Sequence, residues 1–147
     1  MSGDDRARRQ SRVDVFTYGS LMVPRVMETV TGRLFDQAPA LLRGFARYAL
    51  RGETYPGLVQ EATAATDGVL WRDVDDDSLR RIDDFEGDWY ERHPVSVMAG
   101  ADEIQAETYV LIEAQHHRVS RRTWSRSRFE SRYLQRFLAS YGGSIPP

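Results

Sequence analysis

The sequence predicts a single α+β domain: a small mixed sheet closing toward a barrel, with helices on its flanks. Two observations predict it. The segments run strand, helix, several strands, helix, strands, helix, an order that segregates helices from a mostly contiguous sheet. The chain has 147 residues, 41% of them hydrophobic, which suits one domain with one packed core. Repeats, linkers and low-complexity stretches are not evident in it.

Val13 to Tyr18 is rich in β-branched and aromatic residues and reads as a strand, broken by Gly19-Ser20. Pro24 suits the first turn of a short helix, where its missing N–H is not needed, with Val26, Met27 and Val30 as the apolar face and Gly32 as its end. From Ala38 to Val74 the runs Leu41-Leu42, Phe45 to Leu50, Leu58-Val59 and Gly68 to Trp71 are strand-like and separated by Gly, Pro or Asp. Asp75 to Asp77 places carboxylates at the positive end of a helix dipole, and that helix runs to about Phe85. Pro94 to Met98 and Glu107 to Ile112 read as two further strands around a turn at Ala99 to Asp102.

At the C-terminal end, Ser127 and Glu130 fit a capping box, and Phe129, Tyr133, Phe137 and Tyr141 recur at four-residue steps. Arg128, Arg132 and Arg136 form a neighbouring stripe, and Gly142-Gly143 stops the helix. The expected organisation is a disordered lead-in over residues 1–12 and one domain over 13–143, with 118–141 an Arg-rich amphipathic helical extension.

Composition narrows the function classes. The formal charge is −2, so the whole chain has no electrostatic pull toward nucleic acid or an anionic membrane. Every basic residue other than His is Arg, and there is no Cys, which excludes disulfides, thiolate metal sites and cysteine nucleophiles. No apolar run approaches the ~20 residues of a membrane-spanning helix. The charged first twelve residues lack the hydrophobic stretch of a secretory signal, so a cytoplasmic location is expected.

Two local features carry chemistry. A strand followed by Gly19-Ser20 and then a helix presents successive backbone N–H groups. Gly19 tolerates unusual dihedrals and close ligand approach, so the amides of Gly19, Ser20 and Leu21 suit a carboxylate or phosphate. The competing reading is an ordinary connector with Ser20 as a cap. The second feature is Glu86. Leu79, Ile82 and Glu86 share one face of a helix, so a carboxylate stands where the pattern expects an apolar residue. Gly87 ends the helix there, so burial and the negative end of the dipole both favour the protonated form, raising the pKa of a prospective general base. The competing reading is a structural ion pair with Arg92, which would cancel that rise.

Tyr18-Gly19-Ser20-Leu21 after a strand, Tyr55-Pro56-Gly57-Leu58-Val59, Gly68-Val69-Leu70-Trp71, and Ile82-Asp83-Asp84-Phe85-Glu86-Gly87 with Tyr90 and Arg92 stand in that order. Together they resemble the γ-glutamyl cyclotransferase-like superfamily. Within it they are most similar to the avirulence-induced-gene-like branch of small bacterial and plant proteins, which includes γ-glutamylamine cyclotransferases. The resemblance covers about residues 13–112. The glycine turn alone is unspecific; the ordered combination is specific.

That resemblance implies a small mixed barrel, a Tyr-Gly-Ser-Leu turn that holds the substrate's α-carboxylate through backbone amides, and Glu86 as catalytic acid/base. It implies conversion of a γ-glutamyl amine or γ-glutamyl amino acid to 5-oxoproline and a free amine, with no metal or cofactor. The expected partner is that small molecule, with no nucleic acid and no membrane; the oligomeric state is not read. Tyr18 is a candidate for the pocket floor or for core packing, Tyr55 for a turn with some pocket contact, and Tyr90 and Arg92 for the site border or a brace of the helix end. Tyr90 or a backbone amide are the candidate oxyanion donors.

Three other readings stand beside this one. A non-catalytic carboxylate-binding protein of the same fold is one, although a pure binder has little use for a costly buried carboxylate. A basic helix from Arg118 to Arg136 for nucleic acid is another, opposed by the acidic net charge. His116, His117 and Glu113 suggest a metal only weakly, since adjacent histidines point apart; solvated loop positions are expected.

Overall fold

A computed structural model describes residues 12–144. Its strands are β1 (Val13–Thr17), β2 (Gln37–Leu50), β3 (Pro56–Val74), β4 (Tyr90–Ala99), β5 (Asp102–Leu111) and β6 (Val119–Thr123). Its helices are α1 (Pro24–Thr31), α2 (Asp76–Glu86), α3 (Arg126–Arg132) and α4 (Leu134–Ser144), with short 3₁₀ segments at Ser20–Met22 and Glu113–Arg118. The lead-in expected over residues 1–12 falls outside the described residues except for Arg12, whose guanidinium donates to the Asp73 carbonyl at 3.2 Å.

The sheet order is β3-β1-β5-β4-β2-β6, and β2 also pairs with β3. Five strands therefore close into a barrel, and β6 extends the sheet from β2. The β1–β5 pair is parallel and the others are antiparallel. Closure removes most of the open edges that a flat sheet would expose.

The apolar runs between Ala38 and Val74 are fewer and longer strands than their punctuation suggests. Gly44 interrupts the pattern without ending the strand: it sits at φ 87° where the β2–β3 register shifts between Arg43 and Phe45. A bulge lets the strand bend and continue. Leu58-Val59 and Gly68 to Trp71 are likewise two parts of one strand, β3.

Strand alternation divides the core in two. Phe16, Leu42, Leu58, Leu70, Val97 and Ala106, drawn from all five barrel strands, fill the interior. Val15, Trp71 and Val74 face outward, against Val26 and Met27 of α1, Leu79 and Ile82 of α2, and Phe129 of α3. Each large apolar side chain fully buried in this way contributes about 1.5–3 kcal/mol. The Trp71 indole donates to Thr17 Oγ1 at 3.0 Å, so its burial strands no polar group.

The C-terminal segment departs from the single extension expected over 118–141. Val119–Thr123 is strand β6, paired with β2 through Tyr48↔Thr123 and Leu50↔Val119. The helix cap is Ser125, not Ser127: Ser125 Oγ accepts the Arg128 N–H at 3.2 Å, and Glu130 pairs with Arg126 instead of closing a capping box. The helix then breaks at Tyr133, whose φ of −121° departs from helical values. The bonds from Tyr133 N to Phe129 O and from Phe137 N to Tyr133 O, both 2.8 Å, carry the chain across the break. Among the described residues, no helix is long and apolar enough to cross a membrane.

Candidate active site

A pocket of about 200 Å³ opens where β1 ends, bounded by the 3₁₀ turn, the start of β3, the end of α2 and the C-terminal helices. That is below the ~300–1,000 Å³ typical of pockets for drug-sized ligands, and suits a group of amino-acid size. Tyr18, Gly19, Ser20, Leu21, Tyr55, Glu86 and Tyr90, the residues singled out from the sequence, all line it.

The turn begins where strand β1 stops. Its first internal bond runs from Met22 N to Gly19 O at 2.9 Å, followed by Val23 N to Ser20 O at 3.1 Å. The N–H groups of Ser20 and Leu21 precede that ladder, as the first donors of any helical turn do. Gly19 also meets a steric constraint that its sequence context does not reveal. Its φ is −123°, outside the left-handed region. A Cβ there would lie 3.0 Å from Pro56 Cδ and 3.1 Å from Cγ, so a side chain at this position would press on the Pro56 ring.

Glu86 is the last residue of α2, on the same side as the buried Leu79 and Ile82. The residue keeps some exposure and lines the pocket, and burial of its carboxyl dominates its titration. Burial first, and the neighbouring Asp83 carboxylate second, push its pKa up to about 8. Among the described residues, none forms an ion pair with it.

Arg92, the sequence-level partner of Glu86, is engaged elsewhere. It pairs with Asp83 at 3.0 Å and with Glu107. Register explains the second contact: Arg92 of β4 stands opposite Tyr109 of β5, with Glu107 two residues along the same face. The Tyr109 hydroxyl also donates to Asp83. Arg92 thus braces α2 through Asp83, one turn before Glu86, and does not line the pocket.

The tyrosines are fixed by their hydroxyls. Tyr18, 5% exposed, donates to the Tyr109 carbonyl at 2.5 Å, so it serves the core and the pocket together. Tyr90 donates to the Pro56 carbonyl at 2.7 Å. Burial raises the Tyr90, Tyr18 and Tyr109 pKa values well above the ordinary phenol range. Tyr55 is pushed up to about 12, mainly by burial and then by Glu53, and its ring lies 6.1 Å from Trp89.

Sequence reasoning missed part of the wall. Tyr109, Phe85, Phe129 and Phe137 also line the pocket. Phe129 and Phe137 were visible only as a four-residue apolar stripe, which marks a buried face without saying what it covers. Arg128, Arg132 and Arg136 are exposed and do not line the pocket. His116 and His117 are exposed, each with a ring nitrogen near a backbone carbonyl, of Leu111 and Ala114.

Residues 15–126 match the family described as gamma-glutamyl cyclotransferase, AIG2-like. AIG2-like protein C of Arabidopsis thaliana is 37% identical over 99 residues, covering 66% of this chain and 58% of that protein. Protein AIG2 C of the same plant is 37% identical over 101 residues, covering 67% and 61%. The matched region thus spans about three fifths of each of these relatives. A solution structure of an Arabidopsis thaliana protein superposes with a TM-score of 0.69 at 29% identity, over 90% of this chain and 81% of that one. A structure titled gamma-glutamyl cyclotransferase superposes at 0.60 with 20% identity, over 69% and 67%, a likeness of fold.

Proposed function

The chain belongs to the AIG2-like γ-glutamyl cyclotransferase family, and from that premise we propose that it converts a γ-glutamyl amide to 5-oxoproline and a free amine, with Glu86 carrying the proton. One observation supports this above the others. A buried carboxylate without an ionic partner among the described residues shares its pocket with the backbone amides of the Ser20–Leu21 turn. A buried carboxylate kept unpaired costs stability, which gives a pure binder no return and a general base its working pKa.

In the proposed reaction the turn amides hold the substrate's α-carboxylate. The α-ammonium nitrogen then lies near its own γ-carbonyl carbon. Glu86, as carboxylate, takes one proton from the ammonium, and the amine attacks the γ-carbon. As the tetrahedral centre collapses, the bond to the leaving nitrogen breaks. Glu86 returns its proton to that nitrogen, and the second proton of the attacking nitrogen passes to solvent or to the departing amine. Such an acid/base contributes ~10²–10⁴ in rate. Positioning contributes more, because well-oriented ring closure reaches effective molarities of ~10⁵–10⁸ M. Tyr90 already donates to Pro56, which leaves a backbone amide as the oxyanion donor in this reading.

The test is incubation of the purified protein with a panel of γ-glutamyl amides and γ-glutamyl amino acids, with 5-oxoproline followed by mass spectrometry. Enzyme-dependent 5-oxoproline from at least one compound is expected. Binding of the panel without any 5-oxoproline supports the carboxylate-binding alternative instead.

A further inference from the structure

Beyond the turn and Glu86, the pocket wall is aromatic. Among the described residues, eight of the fifteen that line it are Phe or Tyr, and Glu86 is the single Asp, Glu, Arg or His. A leaving group that is an amino acid or peptide carries its own carboxylate, which needs a cation or a second set of amides. Arg118 lies 3.9 Å over the Trp89 ring and donates to Gln115. Arg92 is held by Asp83 and Glu107, and Arg47 by Asp67 and the Tyr18 carbonyl. None of the three lines the pocket.

The aromatic wall is also preorganised. The Phe137 ring stands edge-on to Phe85 and to Phe129, with centroids 5.8 Å apart in each pair, and Phe129 lies 5.8 Å from Trp124. Such pairs fix ring orientation as well as adding contact energy. Phe129 and Phe137 come after residue 126, where the family match ends. The C-terminal helices α3 and α4 therefore supply part of the wall.

We propose that the substrate is the γ-glutamyl amide of an apolar, ring-bearing amine, and that Phe137 and Phe129 set this preference. The proposal rests on the cyclotransferase reading above. A flat apolar substituent stacks on the wall and leaves no charge to be desolvated, whereas a carboxylate in the same place would be buried without a partner among the described residues.

The test compares γ-glutamylbenzylamide, γ-glutamylmethylamide and γ-glutamylglycine on the full chain. Two quantities are read: kcat/KM for 5-oxoproline release, and calorimetric affinity for the Glu86→Gln protein. The benzylamide is expected to lead the methylamide by about tenfold and γ-glutamylglycine by more. Phe137→Ala should collapse the benzyl-to-methyl ratio, and Phe137→Leu, which is gentler to folding, should lower it partway. Equal or better use of γ-glutamylglycine, or an unchanged ratio in both variants, overturns the proposal. If none of the compounds yields 5-oxoproline, the cyclotransferase reading fails while the affinity order still decides the apolar preference. Binding of none of them overturns both.

Discussion

Replacing Glu86 with Gln should stabilise the protein by an amount that grows with pH. Burial and Asp83 raise the Glu86 pKa from 4.5 to about 8 in the folded chain. Between those values the folded state keeps a proton that the unfolded state has lost, so this group's contribution to stability falls as pH rises and levels off above about 8. At 1.36 kcal/mol per pKa unit, the full shift corresponds to roughly 5 kcal/mol, of which about 4 kcal/mol develops between about pH 5 and about pH 8.5. Gln keeps the shape and does not titrate. The stability gap between variant and wild type should therefore widen by about 3–4 kcal/mol across that range, whatever constant offset the amide introduces. Urea unfolding followed by tryptophan fluorescence measures it, since Trp71 and Trp124 are buried. With m near 1–3 kcal/mol/M, the separation of midpoints should grow by more than ~1 M. A separation equal at both pH values would refute the reasoning, because Glu86 would then titrate as an ordinary exposed carboxylate.

Gly19→Val should lose both turnover and stability, because any side chain there meets the Pro56 ring at 3.0 Å. Ser20→Ala should be mild in both, since the turn offers its N–H and not its hydroxyl; thermal melts with 5-oxoproline assays separate the two variants. A γ-glutamyl amide lacking its α-carboxylate should bind at least about tenfold more weakly by calorimetry, because charge-assisted bonds to the turn amides are lost. Gly68→Ala should destabilise by more than about 1–3 kcal/mol, read by urea midpoint, because its Cβ would sit 2.3 Å from the Thr17 carbonyl oxygen at the β1–β3 seam.

The helix ending at Glu86 was legible because a 3.6-residue period converts spacing directly into a face. Leu79 and Ile82 are buried, and Glu86 follows them into the pocket. That Glu86 has no ionic partner among the described residues was not legible: proximity in sequence suggested Arg92, while strand register sets Arg92 beside Glu107 and the fold brings it to Asp83 of the helix. The turn at Gly19 was legible as a turn, yet its steric reason lies in Pro56, a residue distant in sequence. The C-terminal stripe shows the same limit. Periodicity marked Phe129 and Phe137 as inward-facing, but only the tertiary arrangement reveals that part of what they face is the pocket. Strand β6 and the break at Tyr133 escaped because Arg-rich segments carry little apolar pattern, and hydrogen bonding to β2 decides their form.

Single-turnover release of 5-oxoproline across pH, in wild type and in Glu86→Gln, tests the central claim most directly. The panel compound that turns over best serves as substrate. Wild-type kcat/KM should rise with pH and level off near pH 8, the pKa of the free Glu86 carboxyl. Glu86→Gln should bind that substrate yet release 5-oxoproline ~10²–10⁴-fold more slowly, without the inflection. A Gln variant that keeps near-wild-type turnover, with the same pH dependence, would contradict the account.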